Sequence, residues 1–331
     1  MANLQLSLAF SPNPRSKPIL DGDVSPEGID LFCSRVPPGE LFHRQLTHQE
    51  FDVSEMSISS LLMITAKGNR DWVALPIFTT RHFFGTQAIV RDGADIETPD
   101  QMKGKRVGVN EYQQTAALWS RGFFQHEYGV ASQDVEWWME RTPEFSHAGA
   151  VGFEAPPGVT LKFIPPESSM SDMMQKGDLD AIQHYFWGGG GINRSTVDLA
   201  KTPGFHSIFA DPQQEAARYY QKTGIFPFNH TVILRRSIYE ANPWAARNIL
   251  EAFEKSKQIA YAQTREATEP WLQTGVLDSG ARGSMATDIF PYGLTANRMV
   301  IEKAMEFSTE QGLTPRVLTP EEVYAPVLLD S

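Results

Sequence analysis

Lys103-Gly104-Lys105-Arg106-Val107-Gly108-Val109-Asn110-Glu111-Tyr112-Gln113-Gln114-Thr115-Ala116-Ala117-Leu118-Trp119 has three parts. Residues 105–109 read as a short strand and 110–114 as a polar loop. Residues 115–128 read as a helix whose apolar face carries Ala116, Ala117, Trp119, Phe123 and Phe124. Strand, loop and helix start together make an anion site, with free backbone N–H groups and the positive end of the helix dipole turned into the loop. The Thr115 hydroxyl either caps the helix or donates to a ligand, and both readings stay open.

Working outward, the same alternation of strand and helix fills the chain. Residues 4–10 form a strand that ends at Ser11-Pro12-Asn13-Pro14. After a strand at 51–53, Glu55, Ser57, Ser59 and Ser60 crowd the turn into a helix at 60–67, as capping residues or as a ligand wall. A strand at 72–78 leads to Arg81 and His82. The planar fork of Arg81 suits a carboxylate; pairing to a structural Asp or Glu is the alternative. A strand starting at 178–182 delivers His184 and Tyr185, and four glycines, Gly188 to Gly191, read as a flexible loop or lid. Residues 142–157 read as a loop, and His43 and His48 as surface residues. Asn229 and His230 precede a strand at 232–235. His230 is either a hydrogen-bonded core histidine or an acid–base group.

The chain of 331 residues is long enough for two domains, and 41% hydrophobic residues give it a real core. A net charge of −11 argues against nucleic acid or an anionic membrane as partner but leaves room for a local basic pocket. Cys33 is the single cysteine, so no intramolecular disulfide and no cysteine-based zinc site is available. The first residues read as a strand rather than a signal peptide, and no run approaches the roughly 18 apolar residues of a spanning helix. The expected location is the cytoplasm. A homo-oligomer is compatible with the sequence. The class is α/β with mainly parallel sheets, and the polar clusters fall at the carboxyl ends of strands, where such sheets bind ligands.

The stretches at 51–57, 104–117 and 219–230, Pro243-Trp244, Pro291-Tyr292-Gly293, Asn297-Arg298 and Gln311-Gly312-Leu313 resemble the 4,5-dihydroxyphthalate decarboxylase family, in the same order over nearly the whole chain. The resemblance implies a two-lobed fold like that of type II periplasmic solute-binding proteins, with a cleft between lobes. One lobe is then 1–98 plus 228–331 and the other 99–227. Two departures lie at strand ends: Thr80-Arg81-His82-Phe83-Phe84-Gly85 replaces an expected Ser-Arg-x-Phe-Arg-His, and His184-Tyr185 stands where an arginine is expected. Fewer cations there suggest an acid with one carboxylate or a differently substituted ring.

The implied activity is non-oxidative decarboxylation of a hydroxylated aromatic acid by ring protonation and CO2 loss. Such a site anchors a carboxylate, supplies a proton and stabilises charge on a phenol oxygen. Arg81 and the helix start at Thr115 are the expected anchors, and His230 and His184 the expected acids. Glu111 joins them only if burial raises its pKa. Glu55, Ser57 and Tyr112 would position phenol hydroxyls, with Ser59, Tyr185 and Asn229 completing the substrate wall. No cofactor is expected. Imidazole and carboxylate can bind a divalent ion, but no compact ligand spacing calls for one. The competing reading is a non-catalytic solute-binding protein for an aromatic carboxylate.

Overall fold

A computed structural model describes residues 2–185 and 193–331, so the Gly188 to Gly191 run lies outside the described residues. The strands are β1 (Leu4–Phe10), β2 (Ile29–Arg35), β3 (Val53–Ser57), β4 (Trp72–Leu75), β5 (Ile89–Arg91), β6 (Arg106–Val109), β7 (Glu136–Met139), β8 (Thr160–Phe163), β9 (Ala181–Ile182), β10 (Phe205–Ser207) and β11 (His230–Arg235). They form two sheets. One has the order β2-β1-β3-β11-β4, the other β10-β5-β9-β6-β7-β8. Both are mixed: β11 runs antiparallel to β3 and β4, and β5 antiparallel to β9 and β10, while the remaining pairs are parallel. The strand Ile89–Arg91, placed by the sequence in the first lobe, pairs in the second sheet. The chain therefore crosses between sheets before Ile89 rather than near residue 98.

The sequence places Glu55 and Ser57 in a turn; the structure puts both on β3, because this strand is paired on both sides and runs straight into the helix Ile58–Ala66. Ser57 caps that helix, its Oγ accepting the Ser60 N–H at 3.5 Å. Likewise His230 opens β11 itself, opposite Ser57. Among the described residues no helix is long and apolar enough to cross a membrane.

The helix Thr115–Tyr128 has the bounds its apolar spacing predicts, and Gly129 ends it in the left-handed conformation. It leaves the second sheet but is fastened to elements of the first. Trp119 donates its indole N–H to the Phe228 carbonyl at 2.8 Å, and Gln311 donates to the Leu118 carbonyl at 2.9 Å. At Gly122 the Phe307 ring of the helix Arg298–Glu310 lies against the backbone, where a Cβ would overlap it. Alanine normally gains about 1 kcal/mol over glycine inside a helix. Overpacking here costs about 1–3 kcal/mol, so the steric effect wins. Gly122→Ala is expected to lower the midpoint of chemical denaturation; a raised midpoint would contradict this close packing.

Candidate active site

The ends of β1, β3 and β11 build one wall of the site. Glu55 on β3 is fully buried, and its Oε1 lies 2.7 Å from His230 Nδ1 on β11. Its Oε2 accepts the Ser11 N–H at 3.0 Å and the Ser11 hydroxyl, just past β1. Burial pushes the Glu55 pKa up, but the charge and hydrogen bond of His230 and the two bonds from Ser11 outweigh it and hold the group below its ordinary value. His230 is 6% exposed. Its Nε2 lies 2.8 Å from the amide nitrogen of Asn229. Both residues line a cavity of about 810 Å³.

The ends of β6 and β7 build another wall. The two strands pair Val109 with Met139, and the chains stay together for two more residues, as the Arg141 N–H bond to the Asn110 carbonyl at 3.1 Å shows. That register sets Glu111 beside Arg141, whose Nη1 lies 3.1 Å from Glu111 Oε2. The 142–147 turn folds back so that the His147 N–H donates to Glu111 Oε1 at 3.1 Å. His147 Nδ1 sits 3.0 Å from Oε2 by an oblique approach, an ion contact rather than a straight hydrogen bond. Burial alone would raise the Glu111 pKa, but His147 and Arg141 together hold it at about 2. The condition under which Glu111 serves as an acid is therefore not met: it is a carboxylate. Arg141 and His147 line the same cavity, with Asn110 and Asn193 beside them.

Thr115 and Ser57 join the two walls. Their hydroxyls are 2.8 Å apart, and Thr115 Oγ1 accepts the Ser59 N–H at 3.2 Å. Thr115 thus ties two helix starts together at the cavity instead of capping its own helix, for which no side-chain cap bond exists.

Other expected residues lie away from the cavity wall. The Arg81 guanidinium donates to the Phe226 carbonyl at 2.8 Å, the Pro291 carbonyl at 3.3 Å and the Asn297 side chain. Burial lowers its pKa to about 10, which leaves it a cation at neutral pH. Its partners are neutral oxygens rather than a substrate carboxylate or a structural acid, and they fix the segment that delivers Asn229 and His230. His184 is fully buried behind Gln114, which donates to its Nε2 at 2.5 Å. Burial, then Arg121 and Arg141, drive the His184 pKa to about 3, so it carries no proton to give near neutral pH. Tyr112 is buried beneath Arg121, whose guanidinium carbon is 3.7 Å from the ring centroid. Tyr185 donates to the Val197 carbonyl, and Ser59 is buried with its Oγ off the wall.

Sequence reasoning missed Arg141, His147 and His43. His43, read as a surface residue, is half-buried on the cavity wall. Among the described residues the cavity's fixed cation is therefore Arg141, not a residue of the two departing strand ends. Among the described residues no group of three or more His, Cys, Asp or Glu side chains is placed to hold a metal ion.

No family model matches the chain. It is 32% identical over 336 residues to the 4,5-dihydroxyphthalate decarboxylase of Comamonas testosteroni, across 100% of this chain and 99% of that one. It is 31% identical over 221 residues to the protein of the same name from Pseudomonas putida, across 67% of this chain and 83% of that one. The periplasmic aliphatic sulphonate-binding protein SsuA of Escherichia coli superposes with a TM-score of 0.57 at 14% identity, covering 99% of both chains. The desulfurization enzyme DSZB superposes with a TM-score of 0.53 at 14% identity, covering 98% of this chain and 97% of that one. These structural likenesses give the fold: a two-lobed α/β architecture of the periplasmic-binding-protein type.

Proposed function

The chain belongs to the 4,5-dihydroxyphthalate decarboxylase family, whose members are carboxy-lyases, and from that premise we propose that it releases CO2 from 4,5-dihydroxyphthalate or a close analogue, leaving 3,4-dihydroxybenzoate. The observation that carries this reading is the His230–Glu55 pair on the wall of a cavity that Arg141 also lines. Replacing a ring carboxylate by hydrogen consumes one proton at the carbon that loses CO2. His230, backed by Glu55, delivers that proton from Nε2 once the substrate has displaced the Asn229 amide that lies 2.8 Å from it. The fork of Arg141, steadied by Glu111, holds the carboxylate that stays. Ser57, Thr115, Asn229 and Gln114 offer the hydrogen bonds that orient the hydroxyls. Phe42, Phe145 and Ala116 give the ring an apolar bed. No step in this scheme needs a cofactor.

The test follows CO2 release and ultraviolet change with 4,5-dihydroxyphthalate and a panel of hydroxybenzoates, with and without chelator. The expected result is one CO2 per 3,4-dihydroxybenzoate formed, undiminished by chelator. Thermal stabilisation by the same acids with no turnover would replace this reading with that of a binding protein.

A further inference from the structure

The cavity holds a second histidine–carboxylate pair, and its wiring differs from the first in one respect. His230 and His147 both turn Nδ1 toward a fully buried glutamate, at 2.7 Å from Glu55 and 3.0 Å from Glu111. His147 has its Nε2 left for other work, and His230 frees its own when a ligand displaces the Asn229 amide 2.8 Å away. Phe42 packs edge-on against both imidazoles, with ring centroids 4.8 Å from His230 and 6.4 Å from His147, so both border one aromatic side chain of the cavity wall. His147 is 2% exposed, and among the described residues its Nε2 has no hydrogen-bond partner. A buried imidazole nitrogen left without a partner costs stability unless a ligand or water satisfies it.

The difference lies in the charge around each carboxylate. The other partners of Glu55 are the N–H and hydroxyl of Ser11, both neutral. A buried carboxylate needs a cation beside it, and the partner of Glu55 able to become one is His230. Glu111 already has Arg141. With Arg141 supplying that charge, His147 is free to turn an Nε2 lone pair to a ligand.

Resting on the decarboxylase reading, we propose that His147 is the general base that takes the phenol proton para to the departing carboxylate, paired with His230 as the acid. The phenol O–H bond breaks toward His147 Nε2, and the C–O bond becomes a carbonyl. The displaced electron pair reaches the para carbon, which takes the His230 proton. The bond from that carbon to its carboxylate then breaks, CO2 leaves, and the pair restores the aromatic ring as a phenolate. The phenolate recovers its proton from His147, and solvent reprotonates His230. Net, one proton replaces one CO2.

The test is His147→Asn, whose amide nitrogen replaces Nδ1 beside Glu111 and offers nothing at Nε2. At pH 7 kcat for 4,5-dihydroxyphthalate is expected to fall about 100- to 1,000-fold. KM moves by less than about threefold, because ground-state binding is retained. At a fixed pH, substrate analogues with a more acidic phenol are expected to narrow the gap between variant and wild-type kcat, since an ionised phenol needs no base. Product binding by 3,4-dihydroxybenzoate reports a folded site; should the Asn variant fail that check, His147→Gln takes its place. An unchanged kcat, a raised KM with kcat intact, or a deficit indifferent to the acidity of the substrate phenol overturns the proposal. If the wild type turns over and His147→Asn turns over equally, this inference alone falls. If the wild type releases no CO2, the functional reading falls and takes this inference with it.

Discussion

His230→Asn is expected to lower kcat for CO2 release by about 100- to 10,000-fold, the usual contribution of a positioned acid. The asparagine amide keeps a donor near Glu55 Oε1, and the two Ser11 bonds to Oε2 are untouched. The wall therefore stands and only the proton at Nε2 is gone. Binding of 3,4-dihydroxybenzoate should persist. A more acidic substrate phenol should not rescue turnover, because it cannot replace a missing proton donor at the ring carbon; in this the variant is the opposite of His147→Asn. Were His230 a structural histidine alone, the substitution would cost stability and leave kcat near its wild-type value. Steady-state CO2 release and a denaturation curve on the same preparation separate these results.

At Arg141 the expected effect falls on both stability and binding. Arg141→Leu leaves Glu111 buried as a carboxylate with His147, the Ser146 hydroxyl and one backbone N–H for company. Breaking a buried pair by removing one partner costs about 3–5 kcal/mol. The double variant Arg141→Leu with Glu111→Gln removes the stranded charge and should recover most of that stability, but not substrate affinity. Arg141→Lys keeps the charge and loses the fork. Charge-assisted hydrogen bonds contribute about 1.5–3 kcal/mol each, so kcat/KM should fall about 10- to 100-fold, through KM. Urea denaturation and Michaelis curves measure the two effects. A Leu variant of wild-type stability and KM would remove Arg141 from the site.

Much of the framework was legible because its signals are local. The helix Thr115–Tyr128 follows from apolar spacing and a terminal glycine, and β1 from alternation that stops at prolines. His230, Ser57, Thr115 and Asn229 were legible as polar residues at strand ends and helix starts. Arg141 and His147 were not, since 142–157 has no periodicity and their common partner lies about thirty residues earlier. One signal was available: a carboxylate just past a strand end calls for a cation past the neighbouring parallel strand, and Arg141 stands there. Arg81 misled for a physical reason. A buried guanidinium between apolar strands is equally satisfied by backbone carbonyls, and sequence spacing does not tell these from a ligand's oxygens. His184 misled because its depth, which decides its protonation, is a tertiary property.

The way the Thr115–Tyr128 helix is fastened also bears on traffic through the site. It springs from the second sheet, yet Trp119 and Leu118 bind it to segments that travel with the first. Parting the two sheets as rigid halves would tear both attachments and the close seat of Gly122 on Phe307. Access to the cavity without parting the sheets is expected past the lining residues between 37 and 43 and between 144 and 147, where Phe145 is 53% exposed. An enzyme that must empty its cleft at every cycle is thereby expected to do so without a hinge between its sheets.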